Sequence, residues 1–217
     1  MSAKRLLPVA GDGWKFIFGF LIVGVLACLG GAWFARVVAA LGVLAAVFAV
    51  YFFRDPDRAA PKTDDILSPA DGRVMEVADI DGEGYGPGRV VRIFLSVLDV
   101  HVQRSPVAGR VTKVRYRPGK FLDARDPRAA YANESNALEI ETPRGRVLVR
   151  QIAGLIARRI LCWARPEETL APGERFGLIR FGSQVDLYLP SDVEILVRVG
   201  QRVTGGLTAV ARWGGNS

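Results

Sequence analysis

The chain has 217 residues, half of them hydrophobic, and 29 Lys and Arg against 22 Asp and Glu give it a net charge of +7. A single histidine and two cysteines exclude His-rich metal centres, two-histidine peptidase motifs and four-cysteine zinc sites. There is no GxxxxGK[ST] sequence, no aromatic-interleaved basic motif and no helix-turn-helix or zinc-finger spacing, so nucleotide folds and nucleic-acid partners have no support. Cys28 lies in an apolar run and Cys162 in ILCW, settings that suggest no disulfide framework and fit a reducing compartment.

The first predicted elements are apolar. No charge interrupts 16–35 (FIFGFLIVGVLACLGGAWFA), and after Arg36 a second uncharged run covers 37–53. As helices these would be roughly 30 Å and 25 Å long, one full and one marginal crossing of a hydrocarbon core about 30 Å thick. Residues 1–58 are therefore expected to form a membrane anchor, a helical hairpin turning at Arg36, with 59–217 as a separate domain. Lys4, Arg5 and Lys15 precede the hairpin and Arg54 and Arg58 follow it, which places both ends, and the domain, on the cytoplasmic face of the cell's inner membrane. A lipoprotein signal ending at Cys28 (VLAC) fits poorly, because apolar sequence continues far beyond that cysteine. Beside an anchor, the positive charge suits attraction to anionic lipid head groups.

At RAAPKTDDILSPADG the composition changes to a linker and a turn, and the pattern becomes β. Predicted strands are 73–78, 89–96, 110–117, 137–141, 146–156, 176–181, 184–189, 193–199 and 207–212, separated by Gly, Pro and Asp turns. No long amphipathic helix follows the anchor, so the expected fold is mainly β, a sandwich or barrel of about 160 residues. The segments SPADGRVMEV, SPVAGRVTKV and VRVGQRVTGG each place a glycine before a Val-containing strand. They resemble the turns of lipoyl-like barrel-sandwich hybrids, without the carrier lysine such domains present.

The remaining chemical inventory is a carboxylate, a histidine and a serine. Asp71 lies in SPADG, Asp99 and His101 in FLSVLDVHVQRSP, and Gly182-Ser183 in RFGSQVDLYLP, between two apolar strands. In an extended segment Asp99 and His101 share a face, so the Asp99 carboxylate is expected to orient the imidazole as a base toward Ser183. If strain in a glycine turn aims the Ser183 hydroxyl at the Gly182 carbonyl, an N-to-O acyl shift gives an ester. Elimination and loss of ammonia then leave a pyruvoyl group on a new N-terminus. Taken singly, each motif also has a plain reading: a Gly-Ser turn, an Asp-Gly turn, a histidine satisfied at a strand edge.

Together, YFFRDPDR, SPADGRV, FLSVLDVHV, NESN and FGS, in that order from about Val50 to the C-terminus, resemble the phosphatidylserine decarboxylases, most closely their short bacterial branch. The resemblance implies a proenzyme cut between Gly182 and Ser183 into associated chains, a large one (1–182) and a small one (183–217). It also implies a covalent pyruvoyl cofactor made from Ser183, without a metal. This group would form a Schiff base with membrane phosphatidylserine, release carbon dioxide and yield phosphatidylethanolamine, while a neighbouring Arg or Lys holds the lipid phosphate. Asp71 matches the family aspartate assigned to self-cleavage, and His101 the first histidine of the aspartate-x-histidine stretch, the preferred proton donor. Many relatives carry a second histidine where this chain has Arg104, so either His101 serves both steps or another group replaces it. A homo-oligomer is compatible with the resemblance. Two alternatives stand beside it: a membrane-anchored adaptor with a lipoyl-like barrel, and a decarboxylase of another serine-headed lipid such as archaetidylserine.

Overall fold

Two apolar helices make up the first of two units into which the computed structural model divides the chain, Met1–Asp57 and Arg58–Ser217. The structure describes residues 9–29, 33–82, 85–126, 128–155, 159–180 and 182–215. Lys4, Arg5, Gly30 and the expected strand ends Ile156 and Phe181 lie outside the described residues.

After a 3-10 turn at Gly11–Gly13, helix α1 runs over Trp14–Cys28 and helix α2 over Trp33–Phe52. Arg36 lies in the first turn of α2 instead of between the helices. A single charge does not end a helix. The buried residues of α2 include Ala35, Ala39, Gly42, Ala46 and Ala49, a stripe of small side chains three or four apart. A Cβ at Gly42 would fall 2.9 Å from the Phe20 carbonyl oxygen and 3.1 Å from the Gly24 Cα, so the two helices pack backbone to backbone. Large side chains, among them Phe18, Ile22, Leu26, Phe34, Leu41 and Leu44, are exposed. Helices of this length, apolar on every side, are suited to a hydrocarbon surround.

The second unit is mainly β, as expected. Its strands among the described residues are β1 (Ile66–Leu67), β2 (Gly72–Ile80), β3 (Gly88–Leu95), β4 (Val102–Arg104), β5 (Gly109–Arg117), β6 (Ser135–Thr142) and β7 (Gly145–Ala153). They continue with β8 (Ile160–Cys162), β9 (Thr169–Leu170), β10 (Arg175–Ile179), β11 (Ser183–Leu189), β12 (Glu194–Ile195), β13 (Arg202–Val203) and β14 (Ala209–Arg212). A short helix, α3 (Ala129–Ala132), precedes β6. The large sheet has the order β13-β2-β3-β11-β7-β6-β5-β9, and two three-stranded sheets have the orders β4-β10-β8 and β1-β14-β12. The expected strand 193–199 is shortened to Glu194–Ile195, with one further bond from the Leu196 N–H to the Val210 carbonyl, because the chain then bends into a turn closed by the bond from the Gln201 N–H to the Arg198 carbonyl.

Strand β11 lies inside the large sheet, antiparallel to β3 and β7, and all seven of its residues are buried. Val185, Leu187 and Leu189 join the main core with Ile93, Leu95, Val149 and Phe176. By the two-residue period of a strand, Ser183 belongs to that core face and Gln184, Asp186 and Tyr188 to the opposite one. On that opposite face Asp186 accepts hydrogen bonds from Arg92 Nη1 at 2.5 Å, Gln184 Nε2 at 2.5 Å and the Tyr188 hydroxyl at 3.2 Å. Burial pushes the Asp186 carboxyl up, against the pull of Arg92.

Removing one partner of such a pair leaves the other charged and desolvated. Arg92→Met should lower the unfolding free energy of the detergent-solubilised protein by about 3 kcal/mol in urea titration, and adding Asp186→Leu should recover most of that loss.

Candidate active site

The Gly182-Ser183 bond lies where the chain leaves one sheet and joins another. Strand β10 belongs to a three-stranded sheet and β11 to the eight-stranded one. The same crossing is made in reverse by the segment from β3, in the large sheet, to β4, in the small one. Because β3 pairs with β11 (Leu95 opposite Ser183) and β4 with β10 (Val102 opposite Leu178), the two crossings are held side by side. His101 sits at the end of the first crossing and Gly182 at the end of the second. The Gly182 N–H donates to His101 Nε2 at 3.3 Å.

The other ring nitrogen, Nδ1, is 2.9 Å from the Asp99 carbonyl oxygen. A carbonyl can only accept, so Nδ1 carries the proton and Nε2 presents its lone pair to Gly182. This corrects the expectation for Asp99: its backbone, not its carboxylate, orients the ring. Residues 96–99 form a turn in place of an extended strand, in which the Asp99 carboxylate accepts from the Ser96 N–H at 2.8 Å and faces Arg202 at 3.3 Å.

Gly182 has a φ of +67°, in the left-handed region that favours glycine. A Cβ at Gly154 would fall 2.4 Å from the Gly182 carbonyl oxygen, so it is the bare Gly154 that lets these backbones touch. The Ser183 hydroxyl is fully buried, and its oxygen has no hydrogen-bond partner among the described residues. Leaving a hydroxyl so placed costs about 1–3 kcal/mol.

Asp71 is engaged elsewhere. Its carboxylate takes both Arg58 Nη atoms, at 2.6 and 2.9 Å, and the Gly205 N–H at 2.8 Å. No described hydrogen bond joins it to His101 or Ser183. Arg104 is also buried, its Nη1 donating to the Gly173 carbonyl at 3.0 Å and its backbone N–H to that of Pro69 at 2.9 Å. Histidine, glycine and serine are thus brought together, and the aspartate is a clamp on the SPADG turn. Among the described residues no cluster of His, Cys, Asp and Glu could hold a metal ion.

A family model described as phosphatidylserine decarboxylase matches residues 45–211. The chain belongs to the phosphatidylserine decarboxylase family. The family's reaction is the decarboxylation of a phospholipid. A cavity of about 400 Å³ has Gly182 in its wall, together with Phe94, Val97, Asp123, Arg125 and Leu155. Arg125 holds Asp123 in a two-point ion pair, Nε to Oδ1 at 3.0 Å and Nη2 to Oδ2 at 2.7 Å, which draws the Asp123 carboxyl down to about 2. The loop carrying them is fixed by Asn133 of NESN, which bonds both backbone groups of Leu122 and the Ala153 carbonyl at 2.8–3.0 Å.

The sequence singles out Gly182, Ser183, His101 and Asp71 but not Gly154, Asn133 or Arg125. Only Asn133 carried a signal, as part of a motif without an assigned role. Gly154→Ala, which drives a methyl group against the Gly182 carbonyl, should cost about 1–3 kcal/mol of stability, read as a lower melting temperature by circular dichroism.

Proposed function

We propose that this chain is a self-cleaving, pyruvoyl-dependent phosphatidylserine decarboxylase whose electrophile is made from Ser183. The observation that carries this reading is the buried, unpartnered Ser183 hydroxyl directly after a left-handed glycine whose N–H is bonded to the only histidine of the chain. A hydroxyl without a partner is free to turn toward the Gly182 carbonyl carbon. As the C–O bond forms and the Gly182–Ser183 C–N bond breaks, the hydroxyl proton leaves Oγ and the Ser183 nitrogen gains one. His101, whose unprotonated Nε2 accepts the Gly182 N–H, is the group proposed to carry it. Loss of the Ser183 Cα proton then expels the Gly182 carboxylate from Cβ, and water displaces the nitrogen as ammonia.

Once made, the pyruvoyl carbonyl supplies an electrophile for the substrate amine and a sink for the electron pair left by carbon dioxide. The chain's own residues do the rest. The cavity walls of Phe94, Val97 and Leu155 exclude water beside the reacting position, and Arg125, paired with Asp123 at its rim, is the cation we assign to the lipid phosphate. His101 returns a proton to the carbon that lost carbon dioxide. Strand β11 pairs with β3 and β7, so the small chain stays bound after the cut. Lys15 in the first turn of α1 and Arg54 and Arg58 after α2 favour a cytoplasmic active site, at the surface where the lipid presents its head group.

A denaturing gel and mass spectrometry test this directly. The parent should run as two pieces, the smaller being 183–217 with a keto-acid cap, and convert phosphatidylserine in defined vesicles. Ser183→Ala should stay whole and inactive. Normal turnover by an intact parent chain would end the proposal, and preference for another serine-headed lipid in the same assay would redirect it. Arg125→Ala should raise KM for vesicle phosphatidylserine about 10-fold with kcat little changed, the loss of one charge-assisted contact of about 1.5 kcal/mol.

A further inference from the structure

Three buried amide side chains cross the interior of the second unit beside the main core, and none of them belongs to the machinery described above. Asn136 on β6, Gln151 on β7 and Gln103 on β4 are 4, 0 and 0% exposed. Asn136 Nδ2 donates to Gln151 Oε1 at 3.0 Å, Gln151 Nε2 to Gln103 Oε1 at 2.9 Å, and Gln103 Nε2 to the His101 carbonyl at 2.7 Å. The direction of this chain is fixed by its end. The His101 carbonyl can only accept, so the atom facing it must be the amide nitrogen of Gln103. Gln103 then offers its oxygen to Gln151, whose nitrogen also reaches the Leu161 carbonyl at 3.3 Å, a second acceptor demanding the same orientation. Room for the Gln151 amide comes from Gly177, where a Cβ would fall 2.7 Å from Gln151 Nε2.

Apolar side chains of the same size would fill this space without desolvating three amides, so stability does not explain them. What the chain of amides adds is a fixed position for one backbone carbonyl, reinforced by the Ile179 N–H at 3.3 Å. That carbonyl belongs to the residue whose ring meets Gly182, and the ring's other anchor is the Asp99 backbone two residues earlier. We infer that Gln103 and Gln151 are positioning residues that hold the His101 ring in register with the Gly182-Ser183 bond. The inference deepens the decarboxylase reading, but its geometric part can be tested without it.

Because His101 is the only histidine, isotope-labelled histidine gives a single imidazole signal in the full chain. In an uncut Ser183→Ala background that signal should show the Nδ1-protonated tautomer. Gln151→Glu, which keeps the volume but puts a carboxylate against Gln103 Oε1, should shift both ring nitrogens and mix the tautomers. Gln103→Glu, which removes the donor to His101, should do the same and serves if the first variant fails to fold. In the cleavable background both should slow self-cleavage and lower kcat ~10-fold or more, with KM within about twofold. Unmoved imidazole signals overturn the inference whatever the rates do, and moved signals with parental rates overturn it as well. If the parent itself is never cut, the decarboxylase reading fails while the imidazole signal still decides the positioning.

Discussion

The contact between the Gly182 N–H and His101 Nε2 depends on two pairs of strands changing sheets at the same level. Strands β3 and β11 are neighbours in the large sheet and β4 and β10 in the small one, so the segments joining β3 to β4 and β10 to β11 must run together. A one-residue slip in either ladder would turn Ser183 to the opposite face of the sheet and carry His101 away from Gly182. The register is held where slipping would be most costly. Strand β11 is fully buried, with Val185, Leu187 and Leu189 in the apolar core on one face and Asp186 bound to Arg92 on the other. The charged pair on one face and the apolar packing on the other specify the same alignment, and Ser183 inherits it.

Much of this fold was readable from the sequence, and the exceptions have physical reasons. Long strands such as β2, β3, β5, β7 and β11 carry enough residues for a pattern to emerge, and the predicted spans fall within a few residues of them. Strands β4 and β8 are three residues each, too short for any period, yet β4 follows His101 directly and β8 completes its sheet. The site was therefore legible as a set of residue types and illegible as an arrangement. Gly182-Ser183 was visible as a turn between apolar runs. The partner of His101 was misjudged because residues 96–99 turn, and the Asp99 carboxylate is drawn to the Ser96 N–H instead of the ring. Asp71 shows the same limit, since its partner Arg58 is 13 residues away and nothing local announces the pairing.

Among the described residues five buried side-chain nitrogen or oxygen atoms lack a hydrogen-bond partner, and Ser183 Oγ is the one hydroxyl of the five. Asp71 with Arg58, Asp186 with Arg92, and the amides of Asn136, Gln151 and Gln103 each find partners within bonding distance despite heavy burial. Against that background the lone Ser183 hydroxyl is not a sign of loose construction. A fold able to satisfy three consecutive buried amides could have satisfied a serine, or replaced it by alanine. Its persistence beside a glycine at positive φ fits a group kept unsatisfied for a reaction, in which a firm hydrogen bond in the resting chain would raise the barrier to attack.

The proposed cut would act on this arrangement unevenly. Upstream of the bond, Gly182 is held by one hydrogen bond to His101 and by its contact with Gly154, and breaking the chain there would free it to leave the left-handed conformation. Downstream, the residue at position 183 begins a strand flanked on both sides, opposite Leu95 on β3 and Ala153 on β7. Cutting the bond would therefore free the glycine end and leave the new N-terminus in place. Motion of the glycine end would also enlarge the approach from the cavity that Gly182 now lines. The bond that closes the site in the uncut chain would thus be the one whose loss opens it to a lipid head group.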